Sequence, residues 1–217
     1  MKLRPPYKQS TALTKIEVLV IIGVIAVALC VILPALVGAN QKAKSICCNC
    51  NLKQIGLAFA IWESDHTNMY PMSVSTNFGG SQKYISTGQP FRHFQVMSNE
   101  LSTPKVLICP RDSRRAAKDF ASGFSNTNVS YFVGLLVNNN AYPEAFLAGD
   151  RNIVGGTKLP DGIIEITSKD PVSWGQVLHN GFGNIGFADG SVQYFSSARL
   201  HEALEVTGIA TNRLEIP

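Results

Sequence analysis

Four cysteines are the residues most ready to do chemistry. Cys47, Cys48 and Cys50 lie within four positions of one another, and Cys109 stands alone further on. Cys47 and Cys50 have the C-x-x-C spacing of redox couples and zinc sites, but apart from Cys109 no second ligand pair is evident. In an oxidising compartment the four could instead form disulfides. The simplest tie joins Cys109 to Cys48, or to Cys47 or Cys50, because Cys109-Pro110 follows the strand-like run KVLIC where the chain could return to an upstream helix. Free thiols are the third alternative. A fifth cysteine, Cys30, sits inside an apolar run and reads as a small hydrophobe.

A second constellation lies near the C-terminus, in HNGFGNIGFADGSVQYF (179–195), where His179 precedes Asp189-Gly190 by ten residues. Asp-Gly between two apolar-alternating runs signals a two-residue hairpin turn, since such turns need positive φ. A histidine and an aspartate invite a catalytic reading, but the sequence has no G-x-S-x-G, no H-E-x-x-H and no phosphate loop beside them. The expectation is therefore structural, with His179 capping a turn and Asp189 forming one, no catalytic residue and no enzyme. Calcium is the one cation considered. Asp150, Asp161, Asp170 and Asp189 are placed in loops, but their scatter fits no calcium-loop spacing, so neither a metal site nor a cofactor is expected. Asp150 and Arg151 read as a buried or loop ion pair. Arg111 to Lys118 (RDSRRAAK) reads as a solvated basic loop, with a subunit or anionic glycan contact as the alternative.

These groups have to be positioned by something, and the chain's dominant element is apolar. From Val18 to Val37 twenty residues carry no polar or charged side chain, with Glu17 just before them and Pro34 near the far end. Twenty residues make roughly 30 Å of helix, the thickness of a bilayer's hydrocarbon core. The preceding residues 1–12 are basic, which keeps that end on the cytoplasmic side and the bulk of the chain outside. They also contribute +3 of the formal +4 charge, leaving +1, so nothing indicates a nucleic-acid surface. A secretory signal cut after Ala39, before Asn40, is one reading of the segment. Its apolar region is longer than such signals use.

The other reading comes from a resemblance. ALTKIEVLVIIGVIAVALCVILPAL resembles the prepilin cleavage and methylation segment of type IV pilins and type II secretion pseudopilins. In that family a basic leader is removed before an apolar residue, a glutamate follows five residues into the mature chain, and a proline twenty-two in. Glu17 as the fifth makes Leu13 the first and places the cut after Ala12, and Pro34 then falls at the twenty-second. Ala12, Leu13 and Lys15 depart from the family's usual Gly, Phe and apolar residue. NLKQIGLAFAIWESDHTNMYP, with its acidic, Asn-containing turn and Tyr-Pro exit, is similar to pseudopilins too. The H-x9-D-G motif resembles the C-terminal motif of a large pseudopilin-like group. The resemblance implies a structural subunit processed by a prepilin peptidase and assembled with other pilin or pseudopilin subunits. It implies storage as a single-pass protein of a bacterial inner membrane, N-terminus cytoplasmic and globular domain extracytoplasmic. Glu17 would pair with the new amino group of a neighbouring subunit, because a carboxylate among packed apolar helices is costly unless paired. The competing expectation is a lone anchor, Glu17 at headgroup level, carrying a domain that binds a glycan or an envelope protein.

The expected fold is α+β and pilin-like: a long N-terminal helix against an antiparallel sheet with irregular loops. Residues 1–12 form the leader, 13–37 the transmembrane and assembly helix, 38–70 its continuation on the globular domain, and 71–217 that domain. Ile46, Leu52, Ile55, Phe59 and Trp62 are expected to form the buried stripe of a helix running from Leu13 to about Asp65, roughly 80 Å. Expected strands are Lys105–Cys109, Val129–Gly134, Ala145–Ala148, Ile163–Thr167, Asn184–Ala188 and Val192–Phe195. Phe91–Leu101 and Ser197–Thr207 are expected as short helices, and Met72–Gln89 as a surface loop.

Overall fold

The structure, a computed structural model, describes residues 14–135 and 142–217. The chain divides into two compact units, residues 1–43 and 44–217. Helix α1 is Lys15–Asp65. Its start is marked by a capping box: Thr14 N and Oγ1 donate to Glu17 Oε2 at 2.7 and 2.8 Å, and Glu17 N donates back to Thr14 Oγ1. In the first unit the apolar side chains of α1 are exposed on every side, among them Ile16, Leu19, Val24, Val27 and Val31. The stretch Lys15–Leu33 is long and apolar enough to be a membrane anchor or a signal sequence.

In the second unit α1 buries Cys48, Leu52, Ile55, Phe59 and Trp62, successive steps of four and three residues that keep one face inward. Ile46, expected in this stripe, is exposed. Six residues before Leu52 it falls on another face, and Cys48 takes the inward position. The helix ends before two left-handed residues, Thr67 and Asn68.

The fold is α+β, with an antiparallel sheet of seven strands in the order β4-β5-β9-β1-β2-β7-β8. These are β1 (Tyr131–Gly134), β2 (Phe146–Asp150), β4 (Thr157–Lys158), β5 (Ile163–Ile166), β7 (Phe182–Phe187), β8 (Val192–Ser196) and β9 (Asn212–Glu215). The short β3 (Ile153–Val154) and β6 (Ser173–Trp174) pair separately. Alternation divides the core between the two sheet faces. Tyr131, Val133, Leu147 and Ile163 share one cluster with the α1 stripe, α2 (Phe91–Gln95) and α3 (Ser98–Leu101). Phe132, Phe146, Ile164, Phe187 and Phe195 share the other with Leu200 and Leu204 of α4 (Ser197–Val206). Gly149 belongs to this packing for steric reasons: a Cβ there would stand 2.6 Å from the Phe132 ring and 2.8 Å from the Asn184 carbonyl oxygen.

Several local expectations are corrected. Lys105–Cys109 is no strand. Pro104 opens a 3₁₀ turn, Pro104–Leu107, capped by Thr103. Met72–Gln89 is no simple surface loop. It holds three 3₁₀ turns and buries Met72, Val74 and Ser81. The hairpin after β7 has three loop residues, not two. Phe187 N donates to Ser191 O and Gly190 N to Phe187 O, and only Gly190 takes positive φ (+82°). That is a turn closed by a left-handed glycine. The polar strand β9 was not anticipated.

Candidate functional site

The two constellations singled out in the sequence converge. Cys48, on the inward face of α1, is joined by a disulfide to Cys109, with the Cα atoms 5.1 Å apart. Cys30, Cys47 and Cys50 are free and exposed. The ring of His179 lies against this bridge, with Nε2 3.4 Å from Cys109 Sγ. Nε2 is also 3.3 Å from Asp150 Oδ2 and 3.4 Å from Asn184 Nδ2. Asp150 Oδ2 in turn accepts from Asn184 N at 2.7 Å and Asn184 Nδ2 at 2.8 Å. Neighbouring strands make this meeting, β2 delivering Asp150 and β7 delivering Asn184. All of these residues are buried, and His179 Nδ1 and Asp150 Oδ1 have no hydrogen-bond partner among the described residues.

Burial sets the charge state here. Desolvation raises the Asp150 carboxyl to about 7 against the pull of the Asn184 hydrogen bonds. Desolvation, aided by the nearby Arg111 cation, lowers the His179 imidazole to about 4. Between those values both side chains are neutral.

Asp150 stands in β2 rather than in a loop, and it forms no pair with Arg151. Arg151 instead forms a bidentate pair with Asp112, Nε to Oδ2 at 2.8 Å and Nη2 to Oδ1 at 2.9 Å, while Ser130 Oγ also donates to Oδ2. Burial would raise Asp112, but hydrogen bonds from Arg151 and Ser130 hold it below its ordinary value. The basic loop is accordingly partly built into the fold. Arg114 donates to the carbonyls of Asn126, Val129 and Pro217. His179 caps no turn among the described contacts. Asp189 sits at the hairpin tip, its Oδ1 accepting from Ser191 N at 2.8 Å, and no described hydrogen bond joins it to His179. Asp161 and Asp170 occupy separate turns, Asp170 accepting from Thr167. Pro34 lies within α1, its side chain outside the described residues, as are Ala12 and Leu13.

A third polar group was not legible in the sequence. Ser81 Oγ lies 2.7 Å from His93 Nδ1, and His93 Nε2 lies 2.7 Å from Glu215 Oε2. Gln89 N donates to the other Glu215 oxygen at 3.1 Å. The order hydroxyl–imidazole–carboxylate is that of a nucleophile relay. All three residues are fully buried, however, so the hydroxyl faces the protein interior and the relay acts as a tie among a loop, α2 and β9. The residues lie far apart in sequence, and no motif announces them.

No known family model, curated protein or solved structure matches this chain.

Proposed function

We propose that the protein is a pilin-like structural subunit, stored in a membrane by α1, cleaved between Ala12 and Leu13 by a prepilin peptidase, and assembled through the same helix into a type IV pilus or a type II secretion pseudopilus. The observation that carries the reading is the exposure of α1 from Ile16 to Leu33. A helix apolar on every side and covered by none of the described residues needs lipid or other helices around it. The position of Glu17 adds to this. Both bonds from Thr14 converge on Oε2, so Oε1 is the oxygen that a neighbouring subunit's amino group would meet. The capping box holds the carboxylate in place for that pairing, and the pairing would fix the axial stagger between subunits. The test is Glu17→Ala. Membrane insertion should persist, because the apolar run is untouched, while incorporation into sheared filaments or cross-linked pseudopilus oligomers should fall. Normal incorporation would sink the pairing.

A second reading is a tethered binding module that never polymerises. Its support is an exposed aromatic pair: Phe182 and Tyr194 stack at 5.2 Å with interplanar angle 7°, and each is about two-fifths exposed. Such a surface suits a sugar ring. Glycan-array binding that Tyr194→Ala abolishes, together with no assembly of the wild type, would favour this reading.

A further inference from the structure

We propose that Cys48, Cys109, His179 and Asp150 form a binding site for a thiophilic divalent cation of the zinc class when the disulfide is reduced, so that metal and disulfide are alternative occupants of one place in the core. The inference is independent of how the chain assembles.

The ligating atoms of Cys48, Cys109 and His179 all lie within 4.8 Å of one another, and each residue is buried. His179 Nε2 makes no good hydrogen bond. Asp150 Oδ2 and Asn184 Nδ2 stand at 3.3 and 3.4 Å, beyond the usual 2.7–3.2 Å range, and Cys109 Sγ at 3.4 Å. The separations from Cys109 Sγ and Asp150 Oδ2 are instead close to edges of a tetrahedron around zinc. With Zn–S of about 2.3 Å and Zn–N or Zn–O of about 2.0–2.1 Å, an N–S edge is about 3.6 Å and an N–O edge about 3.3 Å. The two sulfurs would have to move apart, as opening their bond allows. The fourth donor is supplied by the Asp150 carboxylate, whose Oδ2 stands 3.3 Å from His179 Nε2 and whose buried Oδ1 has no partner among the described residues. It is oriented by two hydrogen bonds from Asn184, the support that ligating carboxylates characteristically receive. Cys₂His plus a carboxylate is a donor set that zinc accepts.

The chemistry balances as follows. A dithiol reductant gives two electrons and two protons to the Cys48–Cys109 bond, and its own sulfurs join as a disulfide. The cation then displaces the two thiol protons, and the Asp150 proton where the carboxyl still carries one, and binds the two thiolates and the carboxylate. A small-molecule disulfide, itself reduced to two thiols by the two electrons and two protons it takes up, returns the metal-free dithiol to the bridge.

The test uses the full chain in detergent, in a Cys47→Ser/Cys50→Ser background that removes the exposed thiols as competing ligands. Co²⁺ serves as the spectroscopic probe, followed by displacement with Zn²⁺. The reduced protein should bind one Co²⁺ per chain with thiolate-to-cobalt charge-transfer bands and the d–d spectrum of a tetrahedral site, and the oxidised protein should show neither. His179→Ala should weaken binding by more than about a hundredfold, beyond what loss of an outer-shell partner produces. Asp150→Asn, which keeps the packing, should weaken it while leaving the charge-transfer bands. Absence of those bands in the reduced background, or unchanged affinity in His179→Ala, would overturn the site.

Discussion

His179 Nε2 and Asp150 Oδ2 stand 3.3 Å apart with both side chains buried, and burial moves the two groups toward each other's usual range. Asp150 is raised from 3.8 to about 7, so its contribution to stability is complete at low pH and is lost as pH rises through about 7. His179 is lowered from 6.5 to about 4, so its contribution is complete above 6.5 and is lost as pH falls through about 4. Between about 4 and 6.5 the folded pair holds one proton, on Asp150, and the unfolded pair holds one, on His179, so the two slopes cancel. Asp112, the other carboxylate near Asp150, stays ionised across the window.

The pair therefore predicts a masked pH dependence. In the disulfide-bonded protein, Asp150→Asn removes one of the opposing slopes. Stability relative to wild type should then rise by about 1.4 kcal/mol per pH unit across the window. Urea unfolding at several pH values reads this directly. A parallel pair of curves for wild type and variant would contradict it.

The disulfide should be the largest single covalent contribution. It spans 61 residues of sequence, for which constraint of the unfolded chain gives about 4 kcal/mol. Cys109→Ser should cost an amount of that order in denaturant midpoint, whereas Cys47→Ser and Cys50→Ser, at exposed positions, should cost almost nothing. Equal losses in all three would refute the assignment.

The buried relay makes a separate prediction. Glu215→Ala leaves both the His93 ring nitrogen and the Gln89 N–H without a partner in a buried setting, and each unsatisfied group costs about 1–3 kcal/mol. Ser81→Ala removes only the hydroxyl and should cost about 1–2 kcal/mol. Unfolding free energies in which Ser81→Ala is the worse variant would show that the tie is built differently.

At the hairpin tip, Gly190 holds φ +82° with open space around its missing Cβ. Gly190→Ala therefore meets backbone strain alone and should cost about 1 kcal/mol. Asp189→Ala loses the bond to Ser191 N and should cost a similar amount. Thermal unfolding separates these small effects from the large ones above.

How much of this was legible in the sequence follows from the range over which each signal acts. Helix α1 was readable because its evidence is local: an apolar run, a periodic stripe, and no proline between Pro34 and Pro71. Strands β1, β2, β5, β7 and β8 were readable for the same reason. Strand β9 was missed because NRLE carries polar residues whose burial depends on distant partners, Glu215 on His93 and Asn212 on Thr207. Lys105–Cys109 looks strand-like from its apolar residues, but Thr103-Pro104 is a helix-start signal that sets a 3₁₀ turn there. Asp150 and Arg151 are adjacent and invite pairing, yet Asp150 ends β2 and Arg151 lies in the turn after it, and each has its own partner, Asn184 and Asp112. The convergence of Cys109, His179 and Asp150 joins three segments that no motif links.

The most direct test of the central claim is the N-terminus of the mature protein, read by mass spectrometry of the terminal peptide after isolation from its own membrane. A chain beginning at Leu13, N-methylated, is the predicted result, because it places Glu17 and Pro34 at the assembly positions that the pilin reading requires. A chain beginning at Met1 would mark a plain anchor, and one beginning at Asn40 a released secretory protein. Either would contradict the account.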